Sequence, residues 1–526
     1  MARSNSYRSR RLSVVGATTA LMLTLAACST GDTSGSDSDS NGNGENAGTA
    51  GGDLVLGITS DPDTLFPWKA TQFQSVHFVE NIYDTLTELD EDLEVVPGLA
   101  EDWDVSEDGL TVTFHLRDDV TFHDGSTLDA DDVKFSFEAI MDEDTAAVSA
   151  ASLASVESVE AEDEHTVVLN LESPDAALPA NIAVVGTSIL SADDTEEELN
   201  TAPNGTGAFK FETRDANQSL TLVKNDDYWG DEPLLDSVEF RIIPEETSIV
   251  AAIQSGNIHM AVFDDPLVAD TAASDSVTVE ETPLLSYHAL QFNARQEPLD
   301  DVNVRLAIQC AIDRDEVLDT AALGEGEVTG PITSPAYESD PDARPCPTKD
   351  VDKAKEYLEE AGYSDGLQLD VMVSQGEYAT SVDEAQNVKS QLADVGIDVD
   401  IEVLEIGTYV DRWIDADFTA AIALNGGNPD PDGMYGRYFT SNGNLNEVAG
   451  YESDELDALF KEGKQTADPE DRKPIYDEIS RELEDNAVWV WLFTGYTYTA
   501  MNEAVEGFVP KANESLLSLR STSLNQ

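Results

Sequence analysis

The feature that most constrains this chain is the stretch from Pro97 to Glu138, PGLAEDWDVSEDGLTVTFHLRDDVTFHDGSTLDADDVKFSFE, because its hydrophobic period changes within one short block. After the Asp108-Gly109 turn signal, Leu110, Val112, Phe114 and Leu116 alternate with Thr111, Thr113, His115 and Arg117, which is the period of a half-buried strand. Phe122-His123-Asp124-Gly125 turns the chain, and Asp129 is placed to cap a helix with Asp131 and Asp132 in its first turn. Val133, Phe135, Phe137 and Ile140 then form the apolar side of that helix. A hairpin, a turn and a helix account for the whole block. His123 and Asp124 need no metal, since a turn aspartate bonds its own backbone.

The N-terminus is processing signal before it is structure. Arg3, Arg8, Arg10 and Arg11 precede an apolar run from Leu12 to Ala27, too short for a membrane span. The run ends at Leu25-Ala26-Ala27-Cys28, which resembles a bacterial lipobox, so residues 1–27 read as a lipoprotein signal peptide and Cys28 as the lipidated first mature residue. Ser9-Arg10-Arg11 resembles part of a twin-arginine signal and leaves the export route open. Residues 28–50, rich in Gly, Ser, Asp and Asn, cannot form a core and read as a flexible tether.

Lys and Arg number 28 against 106 Asp and Glu, a net charge of −78 that becomes −82 once the leader and its four arginines are removed. No basic face remains to neutralise phosphates, which excludes nucleic acid as a partner. Self-repulsion on this scale is relieved by salt, whose Debye length is about 3 Å near 1 M, and points to a saline habitat. The body from Gly51 onward is long enough for two or more cores.

Along the body, Asp53 to Ser60 reads as a first strand, and a helix starts near Thr71 with Val76, Phe78, Val79 and Ile82 inward. Leu285–Asn293 is placed as the first crossing of the chain between lobes, and Val488–Phe493, a strongly apolar strand, as the second. Between them, helix 351–362, strand 367–373, helix 385–395 and strand 397–406 alternate as in an α/β layer. Strand 416–424 runs into Asn425-Gly426-Gly427-Asn428-Pro429-Asp430-Pro431-Asp432, a polar loop without a hydrophobic residue and close in sequence to Tyr409, Trp413, Tyr435 and Tyr438. A polar loop edged by aromatics suits a binding wall. Asp430 and Asp432 lack the nucleophile or water partner that acid/base catalysis requires.

The block Asp102–Ser136 resembles the family 5 extracellular solute-binding proteins of ABC transporters, which include dipeptide-, oligopeptide- and nickel-binding proteins. Further resemblances are Asn81-Ile82-Tyr83-Asp84-Thr85-Leu86, Gly205-Thr206-Gly207, Asn225 to Trp229, the helix from Asn303 through Arg314, and the closing segment Val505–Pro510. The resemblance implies an α/β, two-lobed periplasmic-binding-protein-like fold of type II, cluster C-like, with a two-segment hinge. Lobe I is expected over 51–287, with an extra subdomain at about 87–200, lobe II over 288–493, and a return to lobe I over 494–526. It implies a lipoprotein on the outer face of the cytoplasmic membrane, monomeric, that passes a small hydrophilic solute to permease subunits. No cofactor and no metal are implied.

A di- or oligopeptide is the expected solute and an oligosaccharide the alternative. Expected ligand contacts are Trp68, Trp413, Asn425, Gly426, Gly427, Asn428, Asp430, Tyr435, Trp491, Phe493 and Tyr496. In peptide-binding members an aspartate of the lobe II loop pairs with the ligand ammonium. Gly426 or Gly427 stands at that place here, which leaves Asp430 as the substitute. With Cys28 lipidated in an exported chain, Cys310 and Cys346 in one lobe are expected to form a disulfide. A secreted hydrolase is disfavoured: the six histidines are isolated, and neither G-x-S-x-G nor H-E-x-x-H occurs.

Overall fold

The structure is a computed structural model that describes residues 51–375 and 380–525. The leader, Cys28 and the tether lie outside the described residues. Two large sheets organise the rest. A seven-stranded sheet has the order 277–283, 496–502, 260–263, 53–58, 237–242, 219–224, 209–215. A six-stranded sheet has the order 327–328, 489–494, 287–292, 420–425, 367–375, 397–405. Each carries its own helices and hydrophobic core, which makes the molecule a bilobed α/β protein.

The chain passes between the sheets twice, at Leu284–Ser286 and at Gly495. The crossings lie side by side. Leu284 N–H donates to the Gly495 carbonyl at 2.9 Å, and the Thr494 hydroxyl bonds the carbonyls of Leu284 and Ser286 at 2.6 and 2.7 Å.

Residues 97–138 supply two strands of a four-stranded antiparallel sheet and the helix packed against it. Strands 100–105, 111–116, 166–171 and 156–163 lie in that order. Val112, Phe114 and Leu116 are buried on one face, while Leu110 lies just outside the strand and is exposed. Helix Ala130–Met141 is capped as expected: the Asp129 carboxylate accepts from Asp131 and Asp132 N–H, and Asp132 returns a bond to Asp129 N–H. The first helix begins at Phe73 rather than near Thr71.

In lobe II, Cys310 and Cys346 are joined by a disulfide with a Cα–Cα distance of 5.1 Å. It ties helix Val302–Ala311 to the end of the Pro- and Gly-rich segment 324–346. That segment is held from both sides. The Arg314 guanidinium donates to the carbonyls of Thr329 and Pro341, and Arg344 pairs with buried Glu484. Ser334 donates to the Pro429 carbonyl at 2.6 Å, and Thr333 to that of Leu285.

Candidate functional site

A cavity of about 690 Å³ lies where the two sheets face each other beside the crossings. Many separated segments build it. Thr71 to His77, Glu80 to Leu89, Val148 to Ser149, Ala183 to Gly186, Asp264 and Lys511 to Ser515 come from lobe I, Leu284–Ser286 forms the back, and Gly426–Pro429 is the lobe II wall.

The lobe II wall is fixed locally. Strand Ala420–Asn425 ends, and after five intervening residues helix Pro431–Phe439 begins with Asp430 as N-cap and proline at its first position. Gly427 must be glycine, because a Cβ there would stand 2.1 Å from the Leu285 carbonyl oxygen. The loop thus leans directly on the first crossing.

On the lobe I side, Glu514 adopts a left-handed conformation with φ 61°. Its turn is pinned by Glu80, whose carboxylate accepts Leu516 N–H at 2.7 Å and the Ser515 hydroxyl at 2.8 Å. Lys511 donates to the Leu89 carbonyl at 2.7 Å. Deeper in the wall, Arg520 forks onto Glu88 at 3.0 and 2.6 Å, while Asp84 accepts from Trp229 and Thr206.

Burial dominates the electrostatics. It pushes the Glu80 carboxyl up to about 7 against the bonds it accepts, and Asp84 up to about 6 with help from Glu88. It pushes the imidazole of His77 down to about 4, so that ring is neutral at neutral pH. Glu514 rises to about 7 through burial and its neighbour Asp264, whose own carboxyl is raised by desolvation. Glu80, Asp84 and Glu88 are occupied by partners in their own lobe. Asp264 and Glu514 also line the cavity, and among the described residues neither forms an ion pair. Phe73 is 57 % exposed and contributes an open aromatic face.

Of the ligand residues expected from sequence, Gly426, Gly427 and Asn428 line the cavity. Asn425 closes the preceding strand and is buried. The structure places the others elsewhere. Asp430 is 2 % exposed and bound through both oxygens by Arg472, at 2.6 and 3.2 Å, so its charge is already neutralised. Trp68 is buried between Phe66 and Phe135, its indole N–H given to the Ser188 carbonyl at 2.8 Å. Trp413 packs on Tyr438 and donates to Gln291 at 2.7 Å. Tyr435 and Trp491 share the lobe II core with Phe439 and Trp489, and Trp491 donates to the Tyr435 hydroxyl at 2.9 Å. Phe493 stacks on His288 at 4.3 Å, and Tyr496 donates to Glu327 at 3.2 Å, next to the second crossing.

Trp491 and Phe493 went inward because strand Trp489–Thr494 has neighbours on both sides in its sheet and is buried along its whole length, so its aromatic residues face core on both faces. Sequence reasoning missed Phe73, Asp264 and Glu514. Phe73 could have been found, as an aromatic off the Val76, Phe78, Val79 core face of its helix. Glu514 carried no such signal.

Two α/β lobes joined by paired crossings, with a cavity between them, define a hinged solute receptor. The model of the bacterial extracellular solute-binding proteins, family 5, matches residues 94–446. The dipeptide-binding protein of Escherichia coli (strain K12) is 29% identical over 449 residues, 79% of this chain and 84% of that one. The heme-binding protein A of Haemophilus influenzae is 28% identical over 468 residues, covering 82% and 84%. Among solved structures, HbpA2 from Haemophilus parasuis superposes with a TM-score of 0.83 at 26% identity, covering 90% of this chain and all of that one. The chain belongs to the family 5 bacterial extracellular solute-binding proteins. It is an extracytoplasmic substrate-binding protein of an ABC importer, and the family's members bind solutes without transforming them.

Proposed function

We propose that this receptor captures a short peptide with a free N-terminus, bound chiefly by lobe I. The observation that carries this reading is the pair of unpaired carboxylates, Asp264 and Glu514, facing a cavity whose opposite wall, Gly426–Pro429, bears no charge. A ligand ammonium leaving water requires a compensating charge. In this chain Asp430 is committed to Arg472, and the two lobe I carboxylates supply it. Asn428 and the loop backbone offer main-chain hydrogen bonds, and Phe73 offers an open face to a side chain. The similarity to a dipeptide-binding protein supports the same reading. The sugar alternative rested on stacking by Trp413 and Trp491; Trp491 is in the core, Trp413 is half-buried against Tyr438, and both N–H groups are bonded inside the protein.

In this reading residues 51–287 with 494–526 form one lobe, 288–493 form the other, and the pair closes over the peptide about the two crossings. The monomeric protein is held by lipid on Cys28 and the tether to 50 at the outer face of the cytoplasmic membrane, where it meets its permease subunits. Calorimetry at high salt against di-, tri- and pentapeptides, their N-acetylated forms and oligosaccharides tests the ligand class. Free peptides are expected to bind and acetylation to weaken binding at least tenfold, about 1.4 kcal/mol. Equal binding of acetylated peptide refutes the ammonium contact, and binding of sugar alone refutes the class.

A further inference from the structure

Tyr496 and Tyr498 donate to Glu327 and Glu325 at 3.2 and 2.8 Å close to the second crossing. Farther from the crossings, among the described residues, one hydrogen bond joins the lobes, from the Ala176 N–H of lobe I to the Lys464 carbonyl of lobe II at 3.0 Å. Both ends are prepared for it. In lobe I, Ala176 sits in the turn after strand Thr166–Leu171, and that turn is shaped by Asp175, which accepts from the Ser155 hydroxyl at 2.7 Å and Ala177 N–H at 3.1 Å. Those bonds fold the turn without using the Ala176 donor. In lobe II, Lys464 lies in the last turn of helix Asp454–Gln465, where carbonyls have no partner within the helix.

The Lys464 side chain ties the same point to the cavity wall. Its ammonium is 3.1 Å from an oxygen of Asp432, in the first turn of helix Pro431–Phe439. Burial pushes the Asp432 carboxyl up to about 6, with Lys464 opposing and Asp430 and, across the lobe boundary, Asp175 adding to the rise. The segment Gly426–Asp432 is therefore anchored at both ends to points where the lobes meet. Gly427 rests on Leu285 at the crossing, and Asp432 holds Lys464 at the remote bond.

We propose that the Ala176 turn and the end of helix Asp454–Gln465 form a latch that limits how far the empty cleft opens. It restricts the lobes to a narrow range of separations before ligand arrives, which lowers the ordering that closure requires. One net backbone hydrogen bond corresponds to about a fivefold shift in population, the effect of ~1 kcal/mol. The device does not depend on what the cleft binds, so its test uses the ligand-free protein and stands or falls apart from the peptide reading.

The full chain is compared with Ala176→Pro, which lacks the N–H, and Ala176→Ser, which keeps it. Small-angle X-ray scattering is expected to show a larger radius of gyration and broader distance distribution for Ala176→Pro alone. Lys464→Met, which keeps the carbonyl but frees the helix end from Asp432, is expected to fall between. Indistinguishable scattering from the proline and serine variants overturns the latch. If the proline variant does not fold, hydrogen exchange of the unaltered protein decides. The Ala176 amide is expected to exchange at least fivefold more slowly than a free peptide, and exchange at the free-peptide rate overturns the proposal.

Discussion

Replacing Asp430 by asparagine separates a structural role from a ligand-binding one. The change keeps size and N-capping ability, since Asn caps as well as Asp, so the loss is that of the charge. That charge is 2 % exposed and takes two hydrogen bonds from Arg472, which also bonds the hydroxyls of Tyr337 and Tyr476 at 3.2 and 3.0 Å and the Gly463 carbonyl at 3.2 Å. Neutralising Asp430 leaves a guanidinium buried without its counter-charge, at about 3–5 kcal/mol. Arg472→Met strands the carboxylate instead and falls in the same range. The two losses are expected to fall short of additivity in the double variant by about 2–3 kcal/mol, because both delete one interaction. Urea unfolding followed by circular dichroism reads these values, and they should persist in 1 M salt, where exposed ion pairs are screened. A stability change below about 0.5 kcal/mol together with lost peptide binding refutes this reasoning and returns Asp430 to the ligand.

Three further outcomes follow from other parts of the molecule. Folded Glu80 holds its proton to about pH 7 and the unfolded group releases it near 4.5, so the folded state binds more protons in that window and stability falls as pH rises through it. Unfolding measured across pH 4 to 8 should show Glu80→Gln removing about 3 kcal/mol of that decline, and identical pH profiles for the two proteins contradict it. Reducing the Cys310–Cys346 bridge, 36 residues apart in sequence, is expected to destabilise lobe II by about 4 kcal/mol in denaturant titrations, and an unchanged midpoint refutes this. Gly427→Ala drives a Cβ into the Leu285 carbonyl, while Gly426→Ala meets nothing within 4 Å; calorimetry should show at least tenfold weaker peptide binding for the first alone.

The parts of the fold that rest on local pattern were legible in the sequence. The alternation from Val112 to Leu116, the Asp129 cap and the apolar strand at 488–493 were read in place. The stretches expected to cross between lobes, 285–293 and 488–493, are mostly strands beside the crossings at Leu284–Ser286 and Gly495. The site was legible only at Gly426 to Asn428, because the cavity is assembled from many short segments spread over more than 400 residues. Nearness in sequence suggested that Trp413 and Tyr435 flank the loop, yet helix Pro431–Phe439 turns Tyr435 into the lobe II interior and helix Ile406–Ile414 lays half-buried Trp413 against Tyr438. The partner that neutralises Asp430 lies 42 residues onward, in helix Pro469–Asp485, and no spacing rule connects the two.

Native mass spectrometry of the protein purified with its carried-over solute, with tandem fragmentation of the released ligand, tests the central claim most directly. A one-to-one complex whose ligand fragments into a short series of amino-acid residues with a free amino terminus is the predicted result. A ligand that fragments as a hexose series, or a tetrapyrrole mass, contradicts the account of what the cleft was built to hold.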